Sequence, residues 1–297
     1  MLIKVTLLGT SGSTPSKTRG MPSVAITYEG GIYLFDCGEG TQMQMLRYGL
    51  NMAKIEAIFI THVHGDHIIG LPGIIRSLSL NHRSKPLAIF VPKGSEGIVR
   101  SLTSFDKALV TFPIAINGIN AGTVMKKEQI SIEAFKLNHT VKTYGYVFSE
   151  LDKRRFIKER CRALGIEGKM FSELQSKGSI MVNGRRIRIE DVTWIKKGKK
   201  IVYASDTRPA KATVKAAMGA DLLIHEATYT EDEKRLAIER KHSTAEEAAK
   251  VAKEAKVKRL LLMHISTRHA EPGLLLREAK KVFRNVRVAH DGSNIFV

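Results

Sequence analysis

The feature that most restricts this chain is a run of metal-binding residue types, His62, His64, Asp66 and His67, within six positions. The run directly follows the apolar residues 57–60, which predicts a loop between a strand and a helix. A single histidine is usually explained by packing or by an exposed position, but four clustered imidazole and carboxylate groups suit Zn²⁺ or a similar divalent ion. The spacing allows His62 and His64 to converge on one ion while Asp66 and His67 turn toward a second.

Three more candidate ligands follow strongly apolar segments elsewhere in the chain. His139 comes after residues 130–137, Asp206 ends the segment 199–205, and His264 follows residues 259–263. In α/β proteins, functional groups gather at the carboxyl ends of strands. With the first run, these residues make seven ligands, enough for two ions roughly 3.5–4 Å apart with one carboxylate bridging them.

Further polar residues are candidates for supporting roles. Asp36 ends the apolar segment 31–35 and is predicted to orient ligand histidines by hydrogen bonding. His225, Glu226 and His242 are candidates for proton transfer, because a carboxylate partner raises the pKa of a histidine. The alternative for His242 is an ordinary surface residue ahead of a helix.

The pattern of apolar segments predicts an α/β fold. Nine short apolar segments alternate with helix-like stretches. Hydrophobic residues make up 43% of the 297 residues, enough to form a substantial core. Residues 243–246 read as a capping box, and Pro272 as the start of a second helix. No apolar stretch approaches the roughly 20 residues of a membrane span, and the first residues do not resemble a secretion signal, so a cytoplasmic location without membrane contact is expected.

The charge balance favours a polyanionic partner. The formal net charge is +19, from 48 Lys and Arg against 29 Asp and Glu, whereas a thermophile's surface would raise both signs together. Residues 151–200 carry 15 basic against 6 acidic residues. This segment is predicted to be an inserted arm or hairpin that binds nucleic acid, and an ordinary solvated insertion is the alternative. Within it, residues 152–165 are predicted to be helical and residues 182–185 to form a hairpin turn. Only two cysteines are present, so a disulfide framework is not expected and any metal must be held by His, Asp or Glu.

Several segments resemble a known family. The pattern His62-x-His64-x-Asp66-His67 resembles the signature of the metallo-β-lactamase superfamily. Eight segments, in the same order along the chain, are similar to the ribonuclease Z family of transfer RNA 3′-processing endonucleases. They are LLGTSGSTPS (7–16), LFDCGEGTQ (34–42), THVHGDHIIGLPG (61–73), LNHT (137–140) with YGY (144–146) soon after, YASDTRP (203–209), HEATY (225–229), HST (242–244) and MHIS (263–266).

The resemblance implies a four-layer αββα sandwich, with residues 1–297 as one domain and residues 151–180 as a protruding basic RNA-binding arm. It implies a zinc-dependent endoribonuclease that removes the 3′ trailer of precursor transfer RNA by attack of a metal-activated hydroxide. The transfer RNA would keep a 3′-hydroxyl and the trailer a 5′-phosphate. Two Zn²⁺ per subunit are expected, with Mn²⁺ or Fe as alternatives, and a homodimer is expected.

The resemblance also assigns roles residue by residue. One zinc would be held by His62, His64 and His139 and the other by Asp66, His67 and His264, with Asp206 bridging. Asp66 would act as general base, and Glu226 with His242 would donate the proton. The residues expected to bind RNA are Lys17 and Arg19 in a loop and Lys153, Arg154, Arg155 and Lys158 in the arm. Two other readings stay open: a metallo-hydrolase of small esters or thioesters, and an RNA-binding module without catalysis.

Overall fold

The computed structural model describes residues 2–104, 110–127, 129–269 and 271–297. The strands in these ranges are β1 (Lys4–Gly9), β2 (Ser11–Gly12), β3 (Ser23–Tyr28), β4 (Gly31–Phe35), β5 (Ile55–Phe59), β6 (Leu87–Pro92), β7 (Ile114–Ile119), β8 (Gly122–Lys127), β9 (Ile130–Lys136), β10 (Tyr144–Glu150), β11 (Lys153–Phe156), β12 (Ser179–Val182), β13 (Arg185–Arg188), β14 (Thr193–Lys196), β15 (Lys200–Ala204), β16 (Leu222–Glu226), β17 (Leu260–Met263), β18 (Ile265–Ser266), β19 (Val286–Val288) and β20 (Asn294–Phe296).

The helices lie mostly between these strands. They are α1 (Thr41–Arg47), α2 (Gly65–Ile68), α3 (Leu71–Leu80), α4 (Glu96–Ser104), α5 (Lys158–Ala163), α6 (Met170–Lys177), α7 (Lys211–Ala217), α8 (Lys234–Glu239), α9 (Ala245–Glu254) and α10 (Gly273–Val282). Short 3₁₀ turns cover Met52–Lys54, Ile189–Val192 and Glu231–Glu233. None of the helices in the described ranges is long and apolar enough to cross a membrane.

Two large sheets form the centre of the larger unit, residues 1–149 and 199–297. Within the described residues, the first sheet has the order β20-β1-β3-β4-β5-β6-β7 and the second the order β19-β17-β16-β15-β10-β9-β8. Apolar side chains from both sheets, including Phe35, Phe59, Tyr146 and Tyr203, form one core cluster between them. The two sheets are therefore packed face to face.

Helices cover the outer face of each sheet. Helices α1, α3 and α4 bury Met45, Ile74 and Val99 against the first sheet, in a second apolar cluster. Helices α7, α9 and α10 bury mainly alanine, valine and leucine against the second sheet. Small alanine side chains on α9 let that helix pack closely on the strands below it. This is the four-layer αββα sandwich predicted from the sequence, and that prediction is confirmed.

Strand direction places several chain segments at one sheet edge. Strands β15, β16 and β17 are parallel neighbours, so their carboxyl ends meet. Strands β4 and β5 of the first sheet are also parallel, which sets the residues after them side by side. The loop at residues 60–64, between β5 and α2, lies in this position because the apolar strand ends where the polar run begins.

Residues 150–198 form a compact unit of their own. The two-stranded ribbon β11–β14, the hairpin β12–β13 and helices α5 and α6 surround a small apolar core that contains Cys161, Leu174, Ile187 and Val192. The arm predicted at residues 151–180 is the first part of this unit. That the segment protrudes and that it binds RNA both stay predictions.

Local details of the sequence reading differ in two places. The sequence predicts a helix over residues 152–165, but residues 153–156 form strand β11, because Phe156 packs into the core of the unit while its neighbours pair with β14. The capping box at 243–246 is displaced by one residue: Thr244 caps α9 and Glu247 is its partner. The expected hairpin turn after Val182 is confirmed, since Asn183 and Gly184 both have positive φ.

Candidate metal centre

One group of four candidate ligands lies at the carboxyl edge of the sheets. His62, His64, His139 and Asp206 each place a ligand atom within 4.8 Å of the others. The Nε2 atom of His62 is 3.0 Å from Nδ1 of His64, and Nε2 of His139 is 3.4 Å from the same Nδ1. Three ring nitrogens thus face one another, an arrangement in which their lone pairs can converge on a cation.

A second group lies beside the first. Asp66, His67 and His264 also bring their ligand atoms within 4.8 Å. The Oδ2 atom of Asp66 is 3.5 Å from Nε2 of His67 and 3.6 Å from Nε2 of His264. Both of these Nε2 atoms are buried and lack a hydrogen-bond partner among the described residues. Buried polar atoms without a partner are costly, and coordination to an ion would satisfy them.

Asp206 lies between the two groups. Its Oδ2 is 3.7 Å from Nε2 of His62 and 3.8 Å from Nε2 of His139, whereas its Oδ1 is 3.4 Å from Nε2 of His67 and 3.2 Å from Nε2 of His264. Each carboxylate oxygen therefore faces one group, the arrangement that a bridging carboxylate requires. The donor set suits a pair of divalent ions.

The buried charges of the centre shift several pKa values. Burial lowers the pKa of His62 well below its ordinary value, and the neighbouring His67 lowers it further, so His62 stays neutral. Burial also disfavours charge on His67, but Asp206, Asp36 and Asp66 outweigh it and raise the pKa of His67. For Asp206, burial is outweighed by His264 and His67, which lower its pKa. Without an ion, a proton on His67 offsets part of the carboxylate charge.

Asp36 holds the centre from behind. Its Oδ1 accepts hydrogen bonds from the backbone N–H of Thr61 at 2.8 Å and from the Thr61 hydroxyl at 3.0 Å. Its Oδ2 is 2.8 Å from Nδ1 of His67 and accepts from the Tyr203 hydroxyl at 2.8 Å. An Nδ1–H on His67 leaves Nε2 with a free lone pair toward the second group. The orienting role predicted for Asp36 is supported by this geometry.

Glu226 and His242 form the pair that the sequence reading expected. Nδ1 of His242 is 2.8 Å from Oε1 of Glu226. Burial lowers the pKa of His242, but the charge and hydrogen bond of Glu226 outweigh it and raise that pKa to about 9. His242 also brings a ring nitrogen within 4.8 Å of ligand atoms of Asp206 and His264. A protonated imidazole is thus held next to the metal-binding groups.

Two residues of the site were missed in the sequence. Thr228 donates to Oε2 of Glu226 at 2.7 Å and is 2.9 Å from Nδ1 of His264, so it links the proton-donating pair to a ligand. Arg208 donates to the backbone carbonyl of His242 at 2.5 Å and forms an ion pair with Glu247. Neither residue type has a diagnostic spacing, although each lies within a quoted segment, HEATY or YASDTRP.

The remaining candidates lie in different surroundings. Lys17 is exposed, whereas Arg19 is buried and donates to the Thr10 hydroxyl and to the Ala289 carbonyl, each at 2.6 Å. Arg19 therefore holds its loop, and direct contact with RNA stays a prediction for both residues. His225 is buried behind the site, with Nδ1 2.7 Å from the Glu226 carbonyl oxygen.

The arm candidates lie in the unit of residues 150–198. Arg154, Arg155 and Lys158 are exposed, and Lys153 forms an ion pair with Glu150 at 3.2 Å. Their contact with RNA likewise stays a prediction.

Comparison with known proteins identifies the family. The chain is 43% identical to ribonuclease Z of Archaeoglobus fulgidus, with 98% of this chain and 96% of the relative covered. It is 40% identical to ribonuclease Z of Methanothermobacter thermautotrophicus, over 98% of this chain and 95% of that relative. The chain belongs to the ribonuclease Z family. The resemblance stated from the sequence motifs is confirmed over nearly the whole length.

Family models and solved structures agree with this placement. A model described as beta-lactamase superfamily domain matches residues 185–265, and one described as anti-Pycsar protein Apyc1 matches residues 3–158. The short form of human tRNase Z superposes with a TM-score of 0.73 at 29% identity, with 98% of each chain covered. YhfI of Bacillus subtilis, a metallo-beta-lactamase fold protein, has a TM-score of 0.74 at 20% identity over 100% of this chain and 99% of its own, which shows the shared fold.

Proposed function

We propose that this protein is a metal-dependent endoribonuclease that removes the 3′ trailer from precursor transfer RNA. The observation that carries the proposal is the pair of ligand groups facing opposite oxygens of Asp206, in a chain whose full-length relatives are named ribonuclease Z. The fold and the His/Asp cluster indicate binding of divalent metal. A non-catalytic RNA-binding module would not need a complete ligand set and a proton-donating pair.

The residues present fit two ions, and histidine-rich ligation favours zinc over Mn²⁺ or Fe. His62, His64 and His139 would hold one, Asp66, His67 and His264 the other, with Asp206 bridging. When bound, such ions supply a nucleophile at neutral pH and offset charge on the phosphoryl oxygens. The buried histidines hold the ligand atoms in place before substrate arrives, since Asp36 and Thr228 already fix His67 and His264.

Asp66 and His242 are the residues that would move protons. Asp66 stays ionised, because His67 and His264 outweigh its burial and lower its pKa, and its Oδ2 accepts a hydrogen bond from the Ser13 backbone N–H at 3.1 Å. We assign it the role of accepting a proton from the attacking water. His242, protonated through Glu226, would donate a proton to the leaving oxygen. The products would be a 3′-hydroxyl on the transfer RNA and a 5′-phosphate on the trailer.

Charge supports RNA as the substrate. Residues 150–198 carry 13 Lys or Arg against 7 Asp or Glu, and Arg154, Arg155 and Lys158 are exposed there. With the exposed Lys17, they offer cations to phosphates of the precursor. We assign RNA binding to these groups and to Lys153.

We also propose that two copies of the chain associate. Met43 and Leu46 are exposed on α1, and Ile69 is exposed just after α2. Met43 and Leu46 are three positions apart and lie on the same face of α1, and adjacent exposed apolar side chains are typical of protein interfaces. A Met43→Glu/Leu46→Glu variant should have half the molar mass of the unmodified protein in sedimentation equilibrium. An unmodified protein that sediments as a monomer would refute association.

The central test is cleavage of a transcribed precursor transfer RNA that carries a 3′ trailer. A single cut after the discriminator nucleotide, abolished by a chelator and restored by Zn²⁺, is expected. Asp66→Ala should lose cleavage nearly completely and keep most of its precursor binding. Turnover by Asp66→Ala at the unmodified rate would overturn the role of Asp66. Hydrolysis of a small phosphodiester or thioester without any cut of the precursor would place the protein among small-molecule hydrolases.

The basic unit can be tested by excision. Ser149 and Lys200 are paired residues in β10 and β15, so a two-residue Asn-Gly turn can replace residues 150–199. The shortened protein should hydrolyse a small phosphodiester normally but bind the precursor weakly. Equal loss of both activities would show that residues 150–198 support the catalytic centre itself.

A further inference from the structure

The single tryptophan of the chain lies on a basic face of residues 150–198. Strands β11 and β14 pair in register, with Arg155 opposite Trp194 and Lys153 opposite Lys196. Side chains of directly opposed residues, and of residues two apart on a strand, lie on the same face of a sheet. One face of the ribbon therefore carries Trp194 with three cationic side chains around it.

The other face of the ribbon is used for packing. Phe156 and Thr193, which pair with each other, lie on that face. Thr193 is buried, and Phe156 packs against the core of the unit with its ring 4.9 Å from that of Phe171. The Trp194 face consequently points away from this core. Trp194 is 52% exposed, although an indole of this size would contribute substantially to a core if it were buried.

An exposed indole among cations fits nucleic acid. Proteins that bind unpaired nucleotides combine a basic track for the phosphates with aromatic side chains on which bases stack. Arg155 is exposed, and no hydrogen bond or ion pair of its guanidinium is seen within the described part of the chain. An acidic protein partner could satisfy the charges, but it would have no need of a flat aromatic surface.

We propose that Trp194 is a stacking platform for an unstacked base of the RNA substrate, with Arg155 and Lys196 contacting the adjoining phosphates. This inference rests on the proposed function, because it requires RNA to be the ligand. The charge of residues 150–198 indicates only contacts with phosphates, and this inference adds a contact with a base. Stacking tolerates any base, so the contact would add affinity without requiring a particular sequence.

The protein reports on this contact directly, because Trp194 is its one tryptophan. When the catalytically inactive Asp66→Ala protein is titrated with precursor transfer RNA, its indole emission should be quenched, and the quenching should saturate with binding. A blunt RNA duplex without loops supplies the same charge but no unstacked base, so it should bind without comparable quenching. Equal quenching by the duplex at saturation would refute stacking.

Substitutions separate stacking from charge. Trp194→Ala should weaken precursor binding about 5- to 150-fold at every salt concentration, and Trp194→Phe should recover most of the loss. Arg155→Ala should instead reduce the steepness of the salt dependence by about one phosphate contact. Met181→Ala is the matched control, since Met181 is 62% exposed in the same unit on hairpin β12–β13. It should bind like the unmodified protein.

The outcomes distinguish this inference from the proposed function. If Trp194→Ala binds precursor normally while the unmodified protein cuts it at one site, the stacking role is wrong and the function stands. If the unmodified protein does not cut precursor, the proposed function fails first. Small-phosphodiester hydrolysis by Trp194→Ala should be unchanged, and its loss would refute a role of Trp194 confined to RNA binding.

Discussion

Asp36→Asn is the substitution that most sharply tests how the metal centre is held. In the native protein, Oδ1 of Asp36 accepts from Thr61, and Oδ2 lies 2.8 Å from Nδ1 of His67. An asparagine carbonyl can keep the bonds from Thr61, which places its NH₂ group against His67. Because that group donates, Nδ1 of His67 must accept, and the ring proton moves to Nε2. Nε2 is the atom that faces Asp66 and Asp206.

The expected consequence is loss of one ligand from the second group while the shape of the site is kept. Changes to groups that orient a ligand histidine typically cost 10- to 100-fold in metal affinity, or about 1.4–2.7 kcal/mol. Competition with a chromophoric chelator would measure the affinity of each ion. The ion held by Asp66, His67 and His264 should show the whole loss, because the first group does not contain His67.

Tyr203→Phe is the matched control. It removes a hydrogen bond to the same Oδ2 atom but leaves the carboxylate of Asp36 against His67. Its effect on metal affinity should therefore be much smaller than that of Asp36→Asn, even if both variants unfold at lower urea concentration. Unchanged affinity for both ions in Asp36→Asn would refute the argument that Asp36 determines which nitrogen of His67 carries the proton.

Three further predictions concern the residues around the ligands. Glu226→Gln should move the alkaline limb of the pH–rate profile to lower pH by about 1–3 units. Glu226 raises the pKa of His242, and the protonated donor is lost as pH rises through that pKa. An unmoved alkaline limb in single-turnover cleavage would contradict the role of His242. Arg208→Ala should lower the free energy of unfolding in urea by about 1–3 kcal/mol, because it leaves Glu247 without its ion-pair partner. Arg208→Lys should recover only part of this loss. Full stability of the alanine variant would refute a stabilising ion pair between Arg208 and Glu247. Zinc affinity should fall as pH falls, because His67 binds a proton that an ion must displace. Calorimetry in buffers of different ionisation enthalpy should detect the release of this proton on zinc binding. Binding heats that do not depend on the buffer would argue against proton release.

The sequence predicted the fold class and the candidate ligands because these depend on local patterns. All nine apolar segments are strands or contain them. The predicted ligands lie on the loops that follow strands, except Asp66 and His67, which lie in helix α2 after the loop that follows β5. Strand β10 is not among these nine segments, and the sequence indicates it only through the motif YGY at residues 144–146. It is buried on both faces, and its serine, glycine and tyrosines give neither an alternating nor a uniformly apolar pattern.

The support of the site was harder to predict, because it depends on contacts between distant parts of the chain. Thr228 contacts His264 36 positions away, and Arg208 pairs with Glu247 39 positions away. Asp36 is predicted as a supporting residue because it directly follows the apolar strand β4. Thr228 lies two residues after β16, and a threonine in that position is not a distinctive signal. The expected roles of the ligands, Asp66, Glu226 and His242 stay predictions until metal binding and cleavage are measured.

The separate core of residues 150–198 has a consequence for how the enzyme fails on heating. That core consists of few apolar side chains, whereas three larger clusters stabilise the sandwich. Small cores bury less surface and melt earlier, and the paired positions of Ser149 and Lys200 let the sandwich stay folded around an unfolded insertion. As temperature rises, the RNA binding proposed for residues 150–198 should therefore be lost first, and hydrolysis of small substrates only later. Heat tolerance of RNA processing would then be limited by the insertion, and stabilising the catalytic sandwich would not improve it.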